Sequence, residues 1–384
     1  MPNWKLQAMP EEELSPTTRI LRTRCEIEGA DPVVTPLFQT SAFEASSPHF
    51  YTRKENPNGL EVEEVIAGLE RSAHCLSVTT GMTALLVVLG LVPTGGTLVI
   101  NTLIYGCTYR LCFREAKKRN IDLVVLDLSA GDESLSKVPE EAHMILFETP
   151  TNPFLRTINI ADLAKWRDKH APEMLMVVDN TWATPLFQRP LECGADVSLY
   201  SATKFFGGHS DVMGGFITTN RDDLHEEMSS ERFYGGMILS PYSAWLIRRS
   251  MQTFTLRMRE HERVTAEMYK FLKSLSCIQS VYTPEVDGTQ LTGYGCILFV
   301  EIGDELGQRY ESFRDALTLF SSGTGMACVT SMVAQPYTGS HASLTEDEKA
   351  AMGIGKGLIR LCFGFEDPED LKRDLTNAFR VLQS

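Results

Sequence analysis

The chain has 384 residues, 43% hydrophobic and 22% charged, with a formal net charge of −14. That length buries large cores and suits roughly two domains, and the balance is that of an ordinary soluble globular protein. The acidic excess argues against a general nucleic-acid or acidic-membrane partner.

No basic-then-apolar signal pattern opens the sequence, and no apolar run approaches the ~20 residues of a membrane helix. The nearest, Ala84 to Val92, reads as a buried helix. Nine cysteines without a CxxC pair or a regular spacing predict free thiols in a reducing cytoplasm and no structural metal.

In chain order, Met1 to Glu44 is broken by Pro10, Pro16, Pro32 and Pro36. It reads as an extended arm with one short helix near Thr17 to Arg24, its first dozen residues partly disordered. Tyr51 to Glu61, YTRKENPNGLE, carries a turn signal at Asn56-Pro57-Asn58-Gly59 before a helix start. Tyr51 and Arg53 there are, on local grounds, plain surface more often than a site. Cys75 to Val88 is a strand running through Thr79-Thr80-Gly81-Met82 into a helix, and such an N-terminus behind a glycine is a ready anion site. Alone the signal is weak, because most strand–helix junctions bind nothing. Asn101 to Phe113 holds Tyr105, Cys107 and Arg110, and Ile145 to Pro153 is a buried strand followed by a polar turn holding Glu148 and Asn152. A helix over Asp162 to Lys169 precedes a strand, Met174 to Val178, that delivers Asp179. Strands alternating with helices, with polar groups at strand ends, predict an α/β fold with a mainly parallel sheet and a site at its carboxyl edge.

Ala195 to Gly215 reads ADVSLYSATKFFGGHSDVMGG. A lysine here is locally most often a solvated loop residue. Held against apolar neighbours, Lys204 instead loses solvation for its charged form, and a neutral amine is what a Schiff base with an aldehyde cofactor requires. Ser201 and Thr203 alternate if the segment is extended and then both reach one phosphate. Upstream, Asp179 at a strand end suits a protonated pyridine nitrogen. Past Arg232, a hinge at Tyr234-Gly235-Gly236 and Ser240-Pro241 precedes a long helical region, Tyr242 to Leu272, whose charge run Arg257 to Arg263 reads as a solvated face. Gly295 to Ile302 reads as a strand, Glu311 to Leu319 as a helix, and Gly357 to Phe363 as a strand with one arginine, Arg360.

VVDNT (Val177 to Thr181), followed by SATK and GGHSDVMGG, resembles the Cys/Met-metabolism family of pyridoxal-phosphate enzymes from about Pro36 to the C-terminus. The resemblance implies a fold-type-I transferase architecture with a seven-stranded-type sheet flanked by helices and a smaller α/β C-terminal domain. The division expected is an arm over 1–45, a large cofactor domain over 46–235 and a small domain over 236–384. Lys204 is then the cofactor lysine and Asp179 the partner of the ring nitrogen. Ser201, Thr203, Gly81 and Met82 serve the phosphate, and Asn152 the ring oxygen. Tyr51 and Arg53 match Tyr-x-Arg-x-x-Asn-Pro, which reaches a partner subunit's cofactor phosphate. Tyr105 stacks on the ring and moves protons at the leaving group. Arg360 clamps the substrate α-carboxylate. Cys107 matches methionine γ-lyases, whereas Arg110 matches the γ-synthase arginine facing the distal end of the substrate.

Two departures bear on the substrate. The family's Ser-Leu-Gly-x-x-Glu is replaced by Gly325 to Thr330 before Ser331, and Arg232-Phe233 stand where methionine γ-lyases carry Lys-Asp. Both predict an altered distal pocket and make methionine a poor candidate. The expectation is a cytoplasmic homotetramer (a dimer of dimers) with sites shared between subunits, acting on a small amino acid by γ-elimination. The alternatives are γ-replacement, β-elimination and, in a different class, a non-catalytic pyridoxal-phosphate-binding protein.

Overall fold

The computed structural model describes residues 4–6, 14–27, 30 and 32–383. The disorder expected of the first dozen residues therefore lies, apart from 4–6, outside the described residues. The strand Trp4–Leu6 pairs antiparallel with Cys25–Ile27. The short helix of the arm spans Pro16–Arg22, with Ser15 accepting from the Thr18 N–H at 3.3 Å and proline at a position whose N–H has no helical partner anyway.

The chain divides into two compact units, residues 1–93 with 175–255 and residues 94–174 with 256–384. In the first, four strands lie in the order His74–Val78, Gly215–Thr219, Val197–Ser201, Leu175–Asp179. Gly215–Thr219 is antiparallel to both neighbours, whereas Leu175–Asp179 and Val197–Ser201 are parallel, with Asp179 opposite Leu199. In the second, Thr97–Asn101 lies parallel between Asp122–Leu126 and Met144–Glu148. Parallel pairs outnumber antiparallel ones across the two sets of strands, the α/β architecture that strand–helix alternation predicts. Gly215–Thr219, Thr97–Asn101 and Met144–Glu148 are buried at every residue, the pattern of a sheet covered on both faces. Helix Pro57–Glu70 begins where Asn56 accepts from the Asn58 N–H, and helix Gly81–Gly90 where Thr80 accepts from the Thr83 N–H, each at 3.0 Å.

The second unit also holds a five-stranded sheet, ordered Ser280–Tyr282, Ile297–Glu301, Leu358–Cys362, Met332–Ala334, Ser321–Ser322. Its core joins Leu298, Ile359 and Leu361 to Phe313, Val264 and Met268. Helix Pro368–Gln383 contributes Leu371, Leu375, Ala378 and Leu382, the stripe that a 3.6-residue period places on one face. Two readings of the sequence need correction. The turn expected at Asn56 to Gly59 is instead the start of helix Pro57–Glu70, with Asn56 at its cap. The helical region Tyr242 to Leu272 is present as two helices, Pro241–Met251 and Phe254–Lys273. Its charge run is only partly solvated, because Arg257 is 5% and His261 0% exposed. Residues 258, 261, 264, 265 and 268 fall on the inner stripe of the helix, which periodicity decides and composition does not. Burial drives the His261 imidazole down to about 4, so the neutral ring donates from Nδ1 to the Phe363 carbonyl at 3.0 Å. Among the described residues no helix is long and apolar enough to cross a membrane.

Helix Pro57–Glu70 ends on a fully buried acid. Tyr200 donates its hydroxyl to Glu70 and accepts from Asn180 Nδ2 at 3.1 Å and from Ser198 Oγ at 3.0 Å. Burial pushes the Glu70 carboxyl up to about 8, with the Tyr200 bond pulling the other way. A raised carboxyl makes the folded state the better proton binder, so its contribution is complete below the unfolded value and is lost as pH rises through about 8. Stability of the cofactor-free protein should therefore decline between about pH 4.5 and 8 by on the order of 5 kcal/mol from this group. Denaturant titrations of Glu70→Gln should show a flatter profile; parallel profiles for the two proteins would refute the assignment.

Candidate active site

In the first unit the strand Leu175–Asp179 ends on a turn that fixes its own carboxylate. The Thr181 N–H and Oγ1 donate to Asp179 Oδ1 at 3.0 and 2.6 Å, as the short side chain of an Asx turn allows. The same Thr181 hydroxyl accepts from the Ser201 N–H at 2.8 Å. Burial pushes the Asp179 carboxyl up to about 6, while the Thr181 bonds and the charge of Lys204 pull it down.

Lys204 is half-buried. Its N–H donates to the Ser201 carbonyl at 3.2 Å, and its own carbonyl accepts from the Gly208 N–H at 2.7 Å. The chain thus leaves extended geometry at Ser201, so Ser201 and Thr203 do not alternate along a strand. The reason is local. Gly208 takes φ 67°, letting the loop turn back, and the Gly214 N–H donates to the Thr203 hydroxyl at 3.3 Å. At Gly81 a Cβ would fall 2.8 Å from Ser201 Cβ, and at Gly215 one would fall 2.3 Å from the Thr80 carbonyl oxygen. Glycine alone permits that approach. It sets Gly81 and Met82, the first two residues of helix Gly81–Gly90, beside Ser201, and their N–H groups have no acceptor one turn back within the helix.

Tyr51 and Arg53 line a cleft of about 430 Å³ with Thr40, Ser41 and Gly236. Arg53 donates from Nη1 to the Phe233 carbonyl at 3.0 Å, and its guanidinium lies 4.3 Å from the Phe233 ring centroid. Arg232 donates to Glu63 at 2.6 Å, to the Ser77 carbonyl at 3.2 Å and to the Lys54 carbonyl at 3.3 Å. The pair Arg232-Phe233, expected to reshape a substrate pocket, is thus engaged with its own unit.

In the second unit Tyr105 caps helix Gly106–Arg119, and its N–H donates to Glu148 Oε2 at 2.9 Å. Burial raises the Tyr105 phenol well above its ordinary value; a hydrogen bond with Cys107 adds to the rise and Arg360 opposes it. Asn152 is buried, and its Oδ1 has no hydrogen-bond partner among the described residues. Arg110 is held by Glu348 at 3.1 and 2.5 Å and by the Ser343 carbonyl at 2.9 and 2.6 Å. Arg360, on the central strand of the five-stranded sheet, is 3% exposed. Its Nη2 donates to the Gly325 carbonyl at 2.9 Å and to the Gly323 carbonyl at 3.4 Å, and Met326 Sδ lies 3.9 Å from Nη1. Among the described residues Nε has no partner and no carboxylate forms an ion pair with the guanidinium. Ser331 is bound through N–H and Oγ to Glu366, both at 2.7 Å.

The first unit therefore brings together Asp179, Ser201, Lys204, Gly81 and Met82, and turns Thr203 toward Gly214. The second holds Tyr105 with Cys107 and Arg360, and directs Arg110 to Glu348. Sequence reasoning left three residues without a role: Thr181, Glu148 and Gly325. Thr181 was legible as the Asp-x-Thr spacing of an Asx turn. A carboxylate reaching a backbone N–H 43 positions away, and a carbonyl presented to an arginine 35 positions on, leave no local trace.

The sequence pattern of the Cys/Met metabolism PLP-dependent enzyme family matches residues 17–380. A cystathionine beta-lyase of Lactococcus lactis is 33% identical over 359 residues, spanning 90% of this chain and 93% of the relative. A cystathionine gamma-lyase of Bacillus subtilis is 32% identical over 367 residues, spanning 91% and 95%. The crystal structure of cystathionine gamma synthase from Xanthomonas oryzae pv. oryzae in complex with aminoacrylate and cysteine superposes with a TM-score of 0.91 at 31% identity, over 98% of this chain and 99% of its own. Relatives named for three different reactions stand at nearly equal distance, so similarity establishes the class and leaves the reaction open. With a pattern match over most of its length and the fold of a solved relative, the chain belongs to the Cys/Met metabolism family of pyridoxal-phosphate-dependent enzymes.

Proposed function

We propose that this enzyme catalyses γ-elimination from a homoserine-derived or sulfur-containing amino acid, releasing the γ-substituent, a 2-oxobutyrate-type product and ammonia. The observation that favours elimination is the commitment of Arg110 to Glu348 and Ser343. The arginine that would receive the acidic distal end of a succinylated homoserine in γ-replacement already has a carboxylate.

The residues present fit pyridoxal phosphate. Asp179 is an oriented, half-buried acid beside a lysine, Gly81 leaves a glycine-only approach to Ser201, and Asn152 is a buried amide with an unmet polar end. In this reading Lys204 carries the cofactor and Asp179 faces its ring nitrogen. Ser201, Thr203, Gly81 and Met82 hold the phosphate, with Tyr51 and Arg53 of a neighbouring subunit. Asn152 meets the ring oxygen and Tyr105 the ring face. When bound, the cofactor supplies an electron sink for carbanions at the substrate α-carbon. Arg360 orients the substrate through its α-carboxylate by a charge-assisted pair. Once released as a free amine, Lys204 takes the α-proton and returns protons during later steps. Tyr105 stays neutral because burial raises its phenol, so it can donate a proton to the departing γ-group. Loss of a β-proton and expulsion of the γ-group together leave an unsaturated amino acid, which water converts to the 2-oxo acid and ammonia. The same reading includes an arm over 1–45, a cofactor domain over 46–235, a small domain over 236–384, and a cytoplasmic homotetramer.

A panel of amino acids assayed for 2-oxo acid, with and without a thiol acceptor, tests the reaction. 2-Oxobutyrate supports the proposal, pyruvate would replace it with β-elimination, and a thioether formed in preference would replace it with γ-replacement. Lys204→Ala should abolish turnover together with the visible absorbance of the lysine-bound cofactor; an unchanged spectrum would defeat the lysine's role. Arg360→Ala should raise KM about 10- to 100-fold, as loss of a charge-assisted carboxylate pair of about 1.5–3 kcal/mol implies, and leave cofactor affinity nearly intact. The reverse order of effects would remove the carboxylate role.

A further inference from the structure

Phe233 and Arg232 are adjacent residues in the last turn of helix Asp222–Gly235, and both act on one short segment. Arg232 donates to the Lys54 carbonyl at 3.3 Å while anchored to Glu63 at 2.6 Å and to the Ser77 carbonyl at 3.2 Å. Glu63 also accepts from the Ser77 N–H at 2.8 Å and the Ser77 hydroxyl at 2.7 Å, so this anchor is part of the sheet. One residue earlier in the segment, Arg53 has its guanidinium 4.3 Å from the Phe233 ring centroid and 5.6 Å from that of Tyr51. One Nη1 N–H of Arg53 donates to the Phe233 carbonyl at 3.0 Å. The other guanidinium N–H groups of Arg53 have no recorded acceptor among the described residues, and Arg53 lines the open cleft with Tyr51, Thr40 and Ser41.

A guanidinium has five N–H donors and a flat face. Here the face is covered by an aromatic ring and one donor by a carbonyl, which removes rotamer freedom and leaves the other donors for an anion. An arginine fixed in this way loses less entropy when it binds a phosphate than one free to sweep through solvent.

We propose that Phe233 is a positioning residue for Arg53, and that Arg232-Phe233 form a clamp which pre-orients that guanidinium toward a phosphate dianion. This rests on the reading above that Arg53 binds a cofactor phosphate. The departure at Arg232-Phe233 is then a device of cofactor retention. Substrate choice is left to other residues.

Cofactor-free protein is titrated with pyridoxal phosphate and, separately, with phosphate-free pyridoxal, by tryptophan fluorescence and visible absorbance. Phe233→Leu should weaken pyridoxal phosphate binding about 5- to 10-fold, the scale of one cation–π contact, and leave pyridoxal binding within twofold. Phe233→Trp should restore the phosphate-dependent affinity. Combined with Arg53→Ala, Phe233→Leu should add almost nothing. Equal losses for both ligands, or no loss in Phe233→Leu while Arg53→Ala is impaired, would overturn the clamp. Unchanged binding in Arg53→Ala would instead remove the underlying reading of Arg53, and the clamp with it.

Discussion

One hydroxyl ties the chemistry of the first unit together. Thr181 Oγ1 donates to Asp179 at 2.6 Å and accepts from the Ser201 N–H at 2.8 Å, so the ends of two parallel strands are joined by a single side chain. A carboxylate removed from water needs oriented donors, or it takes up a proton. Thr181 supplies two of them, and the charge of Lys204 opposes the effect of burial. The strand that sets Ser201 also opens the turns leading to Lys204. The acid and the amine are therefore held to one reference frame by covalent chain and hydrogen bonds. The close approaches at Gly81 and Gly215 add the helix start to the same frame.

The second unit faces the opposite problem, a buried cation. Arg360 sits in the middle of a strand whose residues are all buried, where an unpaired guanidinium is costly. The unit answers with backbone carbonyls of Gly323 and Gly325 and no recorded carboxylate. Carbonyl dipoles stabilise the charge without neutralising it, and Nε remains unpartnered. A site built this way gains most from an anion that arrives with the ligand, because a charge-assisted pair is stronger than the dipolar contacts it supplements.

The elements of the fold were legible in the sequence wherever a short-range signal sets them. The apolar runs ending at Asp179 and Ser201 and the Thr80-Gly81 junction each carry their own signal. The alternation of strands and helices was enough to specify a mostly parallel sheet. Misreadings arose where a longer-range contact decides. Composition alone made Arg257 to Arg263 look solvated, whereas the helical period turns Arg257 and His261 inward. Assumed continuity of a strand set Ser201 and Thr203 in alternation, whereas the chain turns after Ser201 and the Thr203 hydroxyl accepts from the Gly214 N–H. A family motif carries residue identities across, but it does not carry their partners. Arg110 carries the identity the motif implies, and its partner in this chain is Glu348.

That pair is held on both sides by the chain's own residues. Glu348 is fixed before it meets Arg110: it closes a capping box with Thr345, accepting from the Thr345 N–H at 2.7 Å while the Thr345 hydroxyl accepts from its own N–H at 3.3 Å. The acid is therefore held in place at a helix start, and the bidentate pair it makes with Arg110 is pre-organised on both sides. Freeing Arg110 for an acidic substituent would break that pair and two bonds to the Ser343 carbonyl. A neutral thioether or alkyl substituent requires no such exchange. The electrostatics of this helix start thus resist an acidic group at Arg110 unless that group displaces Glu348.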